Sequence, residues 1–398
     1  MTMRILHVIP AVAPRYGGPS TAIWPMVGAL RELDGLDVDV ATTDADGPGG
    51  RLTEGDLPPT SKNIASGTVH LFRRTQGENL KYSRGLAEWL NGHAGDYDVI
   101  QTHSNWNHPV AAACRAARRA EVPYVIRPCG MLSSYTWRKS KWKKRAYWWL
   151  RERGNIRGAA GFHVTSEGER QEVLRLGVSA AVDVIPLGIG ADAWETPVEP
   201  GWLREQCPQA GNRPIVLYLS RLHPKKGIVD LLLPALAQLK TDTFLVIVGG
   251  DDDHAPGYAR QVKSEIGRLQ LDGQVALLGP VPPSRRWAAF DGADLFVLSS
   301  HAENFGIVVA EAMARGKAVV VTTGVQFAEH VTASEAGSVI EPAASKLAAS
   351  LDLWLAEPSR RTRAGECGRR YVQKHFTWRR IAEQLAELYR QVCRHKAV

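Results

Sequence analysis

The chain has few cysteines. Five are present among 398 residues, an odd number, and none forms a CxxC pair. They lie far apart in the sequence, at Cys114, Cys129, Cys207, Cys367 and Cys393. This pattern argues against a disulfide framework and against a zinc ribbon, and it is typical of proteins in a reducing compartment.

Long apolar runs are also missing. No uninterrupted run approaches the roughly 18–20 residues that a helix needs to span a bilayer. Residues 3–9 contain a histidine and lead into a Pro-Arg-Tyr-Gly-Gly turn, which predicts a first buried strand rather than a signal peptide. We therefore expect a cytoplasmic protein, which either stays in solution or associates peripherally with the inner face of a membrane.

Charge of one sign is in excess. The formal net charge is +8, which favours anionic partners such as nucleotide diphosphates, anionic lipid head groups or nucleic acids, and does not choose among them. Hydrophobic residues make up 44% of the chain and charged residues 23%, as in globular proteins. The length is sufficient for two domains, each with its own core.

Apolar strand patterns alternate with helix patterns in two successive series. A stretch rich in Pro, Gly and Glu separates the series, so the sequence predicts two doubly wound α/β domains. The predicted parts are an N-terminal domain at residues 1–190, a linker at 191–213, a C-terminal domain at 214–376 and a terminal amphipathic helix at 377–398.

The most informative stretch is residues 294–324. It reads as a buried strand, a polar turn, a helix and a second apolar strand, which is a βαβ unit. Open α/β sheets bind ligands beyond the carboxyl ends of their strands, so the polar turn is a candidate site. Two carboxylates, Glu303 and Glu311, lie on the turn and on the helix that follows it.

Two further turns follow strands in the first half. Gly17 and Gly18 form a turn after the first strand, with Ser20 as the predicted N-cap of the next helix. Paired glycines let backbone N–H groups approach an anion, but a tight turn with no ligand explains them as well. His103 ends a strand before another polar turn, where it either takes part in chemistry or only hydrogen-bonds the turn.

Basic and aromatic residues interleave most densely at residues 135–151. Trp137, Lys141, Lys144 and Trp148 recur at helical spacing, so aromatic and cationic groups share neighbouring faces. One function of such a helix is docking on an anionic membrane surface, and the alternative is a solvated basic helix whose tryptophans pack on the domain. A nucleic-acid patch would require more than one such helix, and we expect no nucleic-acid partner.

The chain resembles the family 4 glycosyltransferases, a group of retaining enzymes that includes bacterial polysaccharide and glycolipid types. Glu303 and Glu311 match the E-x7-E motif of the family, and Arg221 and Lys226 match its basic pair. The resemblance covers nearly the whole chain and is strongest at residues 220–324. It implies the GT-B fold, in which two Rossmann-like domains face each other across a cleft and a C-terminal helix crosses back onto the first domain.

The resemblance also implies roles for single residues. Arg221 and Lys226 would neutralise the departing diphosphate. Glu303 would contact the sugar hydroxyls and Glu311 the ribose. The remaining implied contacts are His103, at the donor sugar or the acceptor side, and a donor-binding set made of Gly17, Gly18, Asn304, Phe305, Gly306 and Ile307. No Asp-x-Asp motif stands in the cleft segments, and since GT-B enzymes generally work without a bound metal, we expect no metal and no cofactor.

The predicted function is therefore retaining transfer of a hexose. The donor would be a UDP- or GDP-linked sugar, and the acceptor a glycan or a lipid-linked glycan in polysaccharide biosynthesis. One alternative is a GT-B epimerase, which would convert a nucleotide sugar without an acceptor. Another is a subunit that binds a nucleotide sugar or glycan without turnover.

Overall fold

The chain folds into two compact units. The first comprises Met1–Gly188 together with Trp378–Val398, and the second comprises Ile189–Thr377. The structure is a computed structural model that describes residues 2–57, 67–133, 145, 147–252 and 255–394. Each unit contains a parallel sheet, as the two series of strands predict.

The sheet of the first unit has seven strands among the described residues. They are β1 Met3–Val8, β2 Leu36–Thr43, β3 Val69–Phe72, β4 Val99–His103, β5 Tyr124–Arg127, β6 Gly161–Val164 and β7 Ala181–Val184. Their spatial order is β3-β2-β1-β4-β5-β6-β7, and every pairing is parallel. The chain direction of the crossovers reverses between β1 and β4, which is where such sheets bind ligands.

Helices connect these strands. They are α1 Gly18–Arg31, α2 Arg84–His93, α3 His108–Arg119, α4 Arg153–Arg157 and α5 Glu167–Leu174, with a π-helical turn at Trp148–Glu152 before α4. The predicted N-cap of α1 was wrong. Gly17 occupies that position, and Ser20 lies inside the first turn, where its hydroxyl donates to the Ala11 carbonyl at 2.8 Å.

The second unit repeats the arrangement with six strands among the described residues. They are β8 Ile215–Leu219, β9 Phe244–Val248, β10 Val275–Gly279, β11 Leu295–Leu298, β12 Val319–Thr322 and β13 Gly337–Ile340. The order β10-β9-β8-β11-β12-β13 places the reversal between β8 and β11. The sequences of β9 and β11 are apolar and fully buried, as expected for parallel strands covered by helices on both faces.

The helices of the second unit begin within the segment predicted as a linker. They are α6 Asp192–Glu195, α7 Trp202–Gln206, α8 Leu233–Leu236, α9 Tyr258–Arg268, α10 Arg286–Asp291, α11 Ile307–Ala314, α12 Ala328–Ala333, α13 Ala344–Leu355 and α14 Pro358–His375. Arg315 ties this segment to the unit, since it donates to the carbonyls of Ala193 and Thr196 at 2.9 Å and forms a bidentate ion pair with Asp291.

The last helix, α15 Trp378–Arg394, belongs to the first unit, where it packs against α1 and β4. Its buried side chains recur at helical spacing, for example Ile381, Leu385 and Tyr389, so one apolar stripe faces the domain. This confirms the predicted amphipathic helix and its return to the first domain. Within the described residues, no helix has both the length and the apolar character needed to cross a membrane.

Candidate functional site

Lys226 and Glu303 form an ion pair in the second unit. Lys226 follows β8 and Glu303 follows β11, and these two strands are neighbours at the reversal of the sheet order. The Lys226 side chain is buried and that of Glu303 nearly so. The sequence-predicted cation and carboxylate therefore lie together at the point where this sheet type binds ligands.

Electrostatics keep Glu303 ionised. Burial acts to raise the pKa of its carboxyl, but the nearby charges of Lys226, Lys225 and Arg221 outweigh burial and hold the pKa below its usual range. The ammonium group of Lys226 has three N–H donors. The carboxylate of Glu303 orients this group and does not use all three donors. The pair can thus present both a cation and a hydrogen-bond acceptor to one ligand.

Backbone contacts fix the turn that carries Lys226. The Ser299 hydroxyl donates to the Lys226 carbonyl at 3.0 Å, and the His301 N–H donates to the Lys225 carbonyl at 2.8 Å. Gly227 adopts a left-handed conformation with φ +67°, and a Cβ there would meet the Ser299 carbonyl oxygen at 2.2 Å. The close approach of the two turns therefore requires glycine at this position.

Gly227→Ala is expected to destabilise the second unit by about 2–4 kcal/mol, because it combines left-handed strain with a clash against rigid backbone. Gly316→Ala is the matched control, since Gly316 has φ +69° and a Cβ added there would meet no atom within 4 Å. It should cost only about 1 kcal/mol. Urea unfolding of both variants measures the difference, and equal losses would contradict the close approach.

Arg221 lies in the same turn, nearer to β9. Its guanidinium Nη1 is 2.7 Å from Asp252 Oδ2, and 47% of its side chain is exposed. The Leu222 N–H donates to the Gly250 carbonyl at 2.8 Å, which holds the turn against the end of β9. Arg221 is therefore an oriented but accessible cation in the turn that also carries Lys226.

Helix α11 begins directly after the polar turn. Gly306 is its N-cap with φ +90°, and a Cβ there would meet Val325 Cγ1 at 2.8 Å. Phe305 is buried, and its ring lies edge-on to that of Phe327 with the centroids 5.3 Å apart. The predicted donor contacts Asn304 and Ile307 flank these residues and are partly exposed. Together they form a helix N-terminus suited to phosphate oxygens.

Glu311 lies on α11 and is buried. Its Oε1 forms an ion pair with Arg286 of α10, whereas its Oε2 has no hydrogen-bond partner among the described residues. Burial raises the pKa of this carboxyl, although Arg286 opposes that shift. A buried acceptor without a donor is uncommon, and a ligand hydroxyl would satisfy it. Sequence reasoning missed Arg286, which carries no signal beyond its positive charge.

In the first unit, a 3-10 turn at Pro14–Tyr16 leads to Gly17, the N-cap of α1, and to Gly18, its first residue. Their φ angles are +63° and +26°, and a Cβ on Gly18 would meet no atom within 4 Å. The backbone conformation, rather than crowding, therefore favours glycine at Gly18. The turn leads into the N-terminus of α1, which belongs to the crossover from β1.

His103 is fully buried at the end of β4. Its Nε2 lies 2.9 Å from His7 Nδ1, and its Nδ1 lies 3.3 Å from Arg127 Nη1. Burial, followed by the charges of His7, Arg127 and His163, lowers its pKa well below the usual range. Both ring nitrogens are thus engaged within the first unit. The predicted contact of His103 with a donor sugar stays a prediction, and sequence reasoning missed its neighbours His7 and Arg127.

These buried histidines predict an acid-sensitive first unit. Burial lowers the pKa of His7 from 6.5 to about 3, and the pKa values of His103 and His163 also lie well below 6.5. Because the unfolded chain binds protons that the folded chain excludes, stability is full above about pH 6.5 and falls as the pH drops towards 3.

Each of the three histidines adds a slope that grows as the pH falls through 6.5 and approaches roughly 1.4 kcal/mol per pH unit in the free energy of unfolding below it. Urea unfolding between pH 7 and pH 5 measures the slope. Replacing the exposed His93 by Gln should leave the slope unchanged. A flat profile over this range would contradict the neutral, buried state of the three rings.

The stretch predicted to dock on a membrane lies largely outside the described residues, which resume at Arg145 and then at 147. Trp137, Lys141 and Lys144 therefore cannot be placed. In the described part, the side chains of Trp149 and Leu150 are 64% and 80% exposed. Membrane docking by residues 135–151 stays a prediction.

No cluster of three or more His, Cys, Asp or Glu side chains within the described residues could hold a metal ion. In this part of the second unit, Lys226 and Arg221 supply positive charge and the N-terminus of α11 supplies backbone N–H groups. Two cations, a helix N-terminus and two carboxylates are suited to a ligand that carries both phosphate oxygens and hydroxyl groups.

Comparison with known families agrees with this chemistry. The model of the group 1 glycosyl transferases matches residues 203–371, and that of a glycosyl transferase 4-like domain matches residues 17–188. The first match contains Arg221, Lys226, Glu303 and Glu311, and the second covers most of the first unit. The two models together span nearly the whole chain.

The chain is also similar in sequence to individual proteins with related names. The chain is 27% identical to an alpha-maltose-1-phosphate synthase of Mycolicibacterium smegmatis over 95% of this chain and 96% of that protein. It is 30% identical to a GDP-mannose-dependent alpha-(1-6)-phosphatidylinositol monomannoside mannosyltransferase of the same organism, over 53% of this chain and 57% of that protein.

Among solved structures, Anabaena Alr3699/HepE in complex with UDP-glucose superposes with a TM-score of 0.78 at 23% identity, over 98% of this chain and 100% of that chain. This likeness shows the fold, and it confirms the expected GT-B class with its two Rossmann-like domains. The family matches and the residues at the carboxyl ends of the strands lead to one conclusion: the chain belongs to the group 1 glycosyltransferases, as a retaining hexosyltransferase of family 4 that takes its sugar from a nucleotide-sugar donor.

Proposed function

We propose that the chain transfers a hexose from a UDP- or GDP-linked donor to a glycan or lipid-linked glycan acceptor. The observation that carries the proposal is the pairing of Lys226 with Glu303 at the reversal of the second sheet, together with the unpartnered Glu311 Oε2 on the helix that follows. These groups suit the two ends of one donor.

The diphosphate end of the donor needs positive charge. When the bond between the anomeric carbon and the phosphate oxygen breaks, negative charge accumulates on the departing diphosphate. Lys226 and Arg221 lie in one turn and would neutralise it, and the N–H groups of Asn304, Phe305, Gly306 and Ile307 at the start of α11 would add hydrogen bonds. The oxygen of the acceptor hydroxyl would then bond to the anomeric carbon on the face that the diphosphate leaves, and the hydroxyl proton would pass to the departing phosphate oxygen.

The two carboxylates would hold hydroxyl groups. Glu303, kept ionised by Lys226, would accept from the sugar hydroxyls, and Glu311 Oε2 would accept from the ribose. They would not act as the acid and base of a glycosidase, since those two groups converge on one bond. From the first unit, Gly17 and Gly18 would donate to the donor, and His103 would act at the sugar or on the acceptor side.

The donor is best tested by thermal shift with UDP-glucose, UDP-galactose and GDP-mannose. The uridine donors are the first expectation, because the solved structure of Alr3699/HepE contains UDP-glucose. A rise in Tm with at least one of the three is expected, and no shift with any would count against the proposal. Formation of an epimer from donor alone would favour the epimerase alternative.

The acceptor is tested by transfer, with release of the nucleoside diphosphate and anomeric configuration followed by NMR. Transfer to a lipid-linked glycan with retention is the expected result. A small sugar phosphate is the second candidate acceptor, because relatives that align over 95% of this chain are named alpha-maltose-1-phosphate synthase. Nucleotide-sugar binding without transfer to any acceptor would favour the binding-subunit alternative.

A further inference from the structure

A hydrogen-bond network of side chains runs through the interior of the first unit. It connects four strands with the C-terminal helix α15, and every member is at least nine-tenths buried. The members are His7 of β1, Gln101 and His103 of β4, Arg127 of β5, His163 of β6 and Tyr389 of α15. Apart from His103, none of them belongs to the site described above.

This hydrogen-bond network begins at Arg127, whose guanidinium can only donate. Its Nη1 lies 3.3 Å from His103 Nδ1, so this ring nitrogen accepts. In a neutral imidazole the other nitrogen then carries the proton, and His103 Nε2 donates to His7 Nδ1 at 2.9 Å. The two rings stack with their centroids 5.1 Å apart.

The donors point in the same direction along the rest of the network, up to the carbonyl of Ile185. His7 Nε2 donates to the Tyr389 hydroxyl oxygen at 3.4 Å, and that hydroxyl donates to Gln101 Oε1 at 2.7 Å. Gln101 Nε2 donates to His163 Nδ1 at 3.2 Å, and His163 Nε2 donates to the Ile185 carbonyl at 2.9 Å.

The groups at the two ends of the network determine which partner donates in each hydrogen bond. A guanidinium cannot accept and a carbonyl cannot donate, so with a neutral ring at His163, whose burial lowers its pKa well below 6.5, the six bonds are satisfied together only if every donor points from Arg127 towards Ile185. All three histidines must then be neutral with the proton on Nε2. Their burial, which lowers the pKa of His7 to about 3, agrees with neutrality.

We propose that Tyr389 is a positioning residue for the transfer reaction, which fixes the His103 tautomer and the Arg127 guanidinium at the carboxyl ends of β4 and β5. Ligands of such sheets bind at these ends. Arg127 Nε has no hydrogen-bond partner in the described part of the chain, so the fixed guanidinium keeps a donor for a substrate oxygen. The role of this position in catalysis rests on the proposed function.

Tyr389→Phe removes only the hydroxyl that connects His7 with Gln101. We expect kcat to fall at least about tenfold with the donor KM changed by less than about twofold, because positioning is lost while the donor contacts of the second unit remain. Tyr124→Phe is the matched control. Tyr124 is equally buried, and its hydroxyl donates to the Asn155 carbonyl at 2.6 Å, which is not part of the hydrogen-bond network. Its kcat should stay at the wild-type value.

A spectroscopic measurement separates positioning from a loss of stability. In ¹⁵N spectra of histidine-labelled wild-type protein at neutral pH, His7, His103 and His163 should appear as neutral Nε2–H tautomers. Tyr389→Phe should change the signals of His7 and His103, whereas Tyr124→Phe should leave them unchanged.

Two results would overturn the proposal: an Nδ1–H tautomer at His103 or His7 in the wild type, or a Tyr389→Phe variant that turns over like an active wild type. The spectra require no substrate, so they distinguish this failure from that of the proposed function. A wild-type chain that transfers no sugar to any acceptor overturns the proposed function and the positioning role with it, whatever the tautomers are.

Discussion

Lys226→Ala should lower kcat by about 10²–10³-fold. Lys226 is a buried cation beside Glu303, in the turn that faces the start of α11 through its contacts with Ser299 and His301. Its charge would matter most when the diphosphate departs, because that is when negative charge develops. The loss should therefore appear in kcat more than in donor KM. Steady-state rates with the best donor and acceptor measure it.

Lys346→Ala is the control for this variant. Lys346 also forms an ion pair, with Glu341, but both side chains are more than half exposed. An exposed pair contributes little, so the rate should stay at the wild-type value. Thermal unfolding of both variants shows that the folded state is retained. A Lys226→Ala enzyme with wild-type kcat would remove this residue from the catalytic account.

Glu311→Gln should raise the donor KM by about 10–100-fold and leave kcat nearly unchanged. The substitution places an amide where a buried carboxylate now pairs with Arg286 and keeps an unpartnered Oε2. A hydrogen bond to a charged group contributes roughly 1.5–3 kcal/mol, and the ribose is bound equally before and during the transfer. Measuring kcat and donor KM separately tests this split.

Glu265→Gln is the matched carboxylate control. Glu265 pairs with Arg268 on α9, with N–O distances of 2.6 and 2.7 Å, and its pKa is lowered by the hydrogen bond from Arg268. This pair bridges neighbouring turns of a single helix, so its loss should not change donor KM. An unchanged KM in Glu311→Gln, or a fall in kcat alone, would contradict the role of Glu311 as a ribose contact.

The sequence was informative where a local pattern decides the structure. Apolar runs such as those of β9 and β11 can only be buried parallel strands when helices alternate with them, which is why both sheets could be predicted. The structure places the reversal of strand order between β8 and β11, which brings Lys226 and Glu303 together although 77 residues separate them.

Other features depend on contacts between distant parts of the chain. The sequence does not mark Arg286 or Arg127 as the partner of a site residue, and their contacts with Glu311 and His103 are known only once the helices and strands are packed. The hydroxyl of Tyr389 meets Gln101 across 288 residues. Periodicity shows that Tyr389 faces the domain, but not which polar groups it meets there.

Local prediction also has limits at helix starts. Ser20 is a favourable N-cap residue, yet the N-cap of α1 is Gly17, three residues earlier, where the backbone has a positive φ angle. The Ser20 hydroxyl is instead used by the Ala11 carbonyl. The Ser20 hydroxyl, which local preference assigns to the helix cap, thus makes a tertiary contact instead.

The central claim is that the second unit holds the donor between the β8 turn and α11. A crystal structure of the chain with the nucleoside diphosphate that gives the largest thermal shift tests it most directly. Phosphate oxygens are expected at Lys226, Arg221 and the N-terminus of α11, with a ribose hydroxyl on Glu311 Oε2. A nucleotide bound elsewhere, or a ribose that leaves Glu311 Oε2 without a partner, would contradict it.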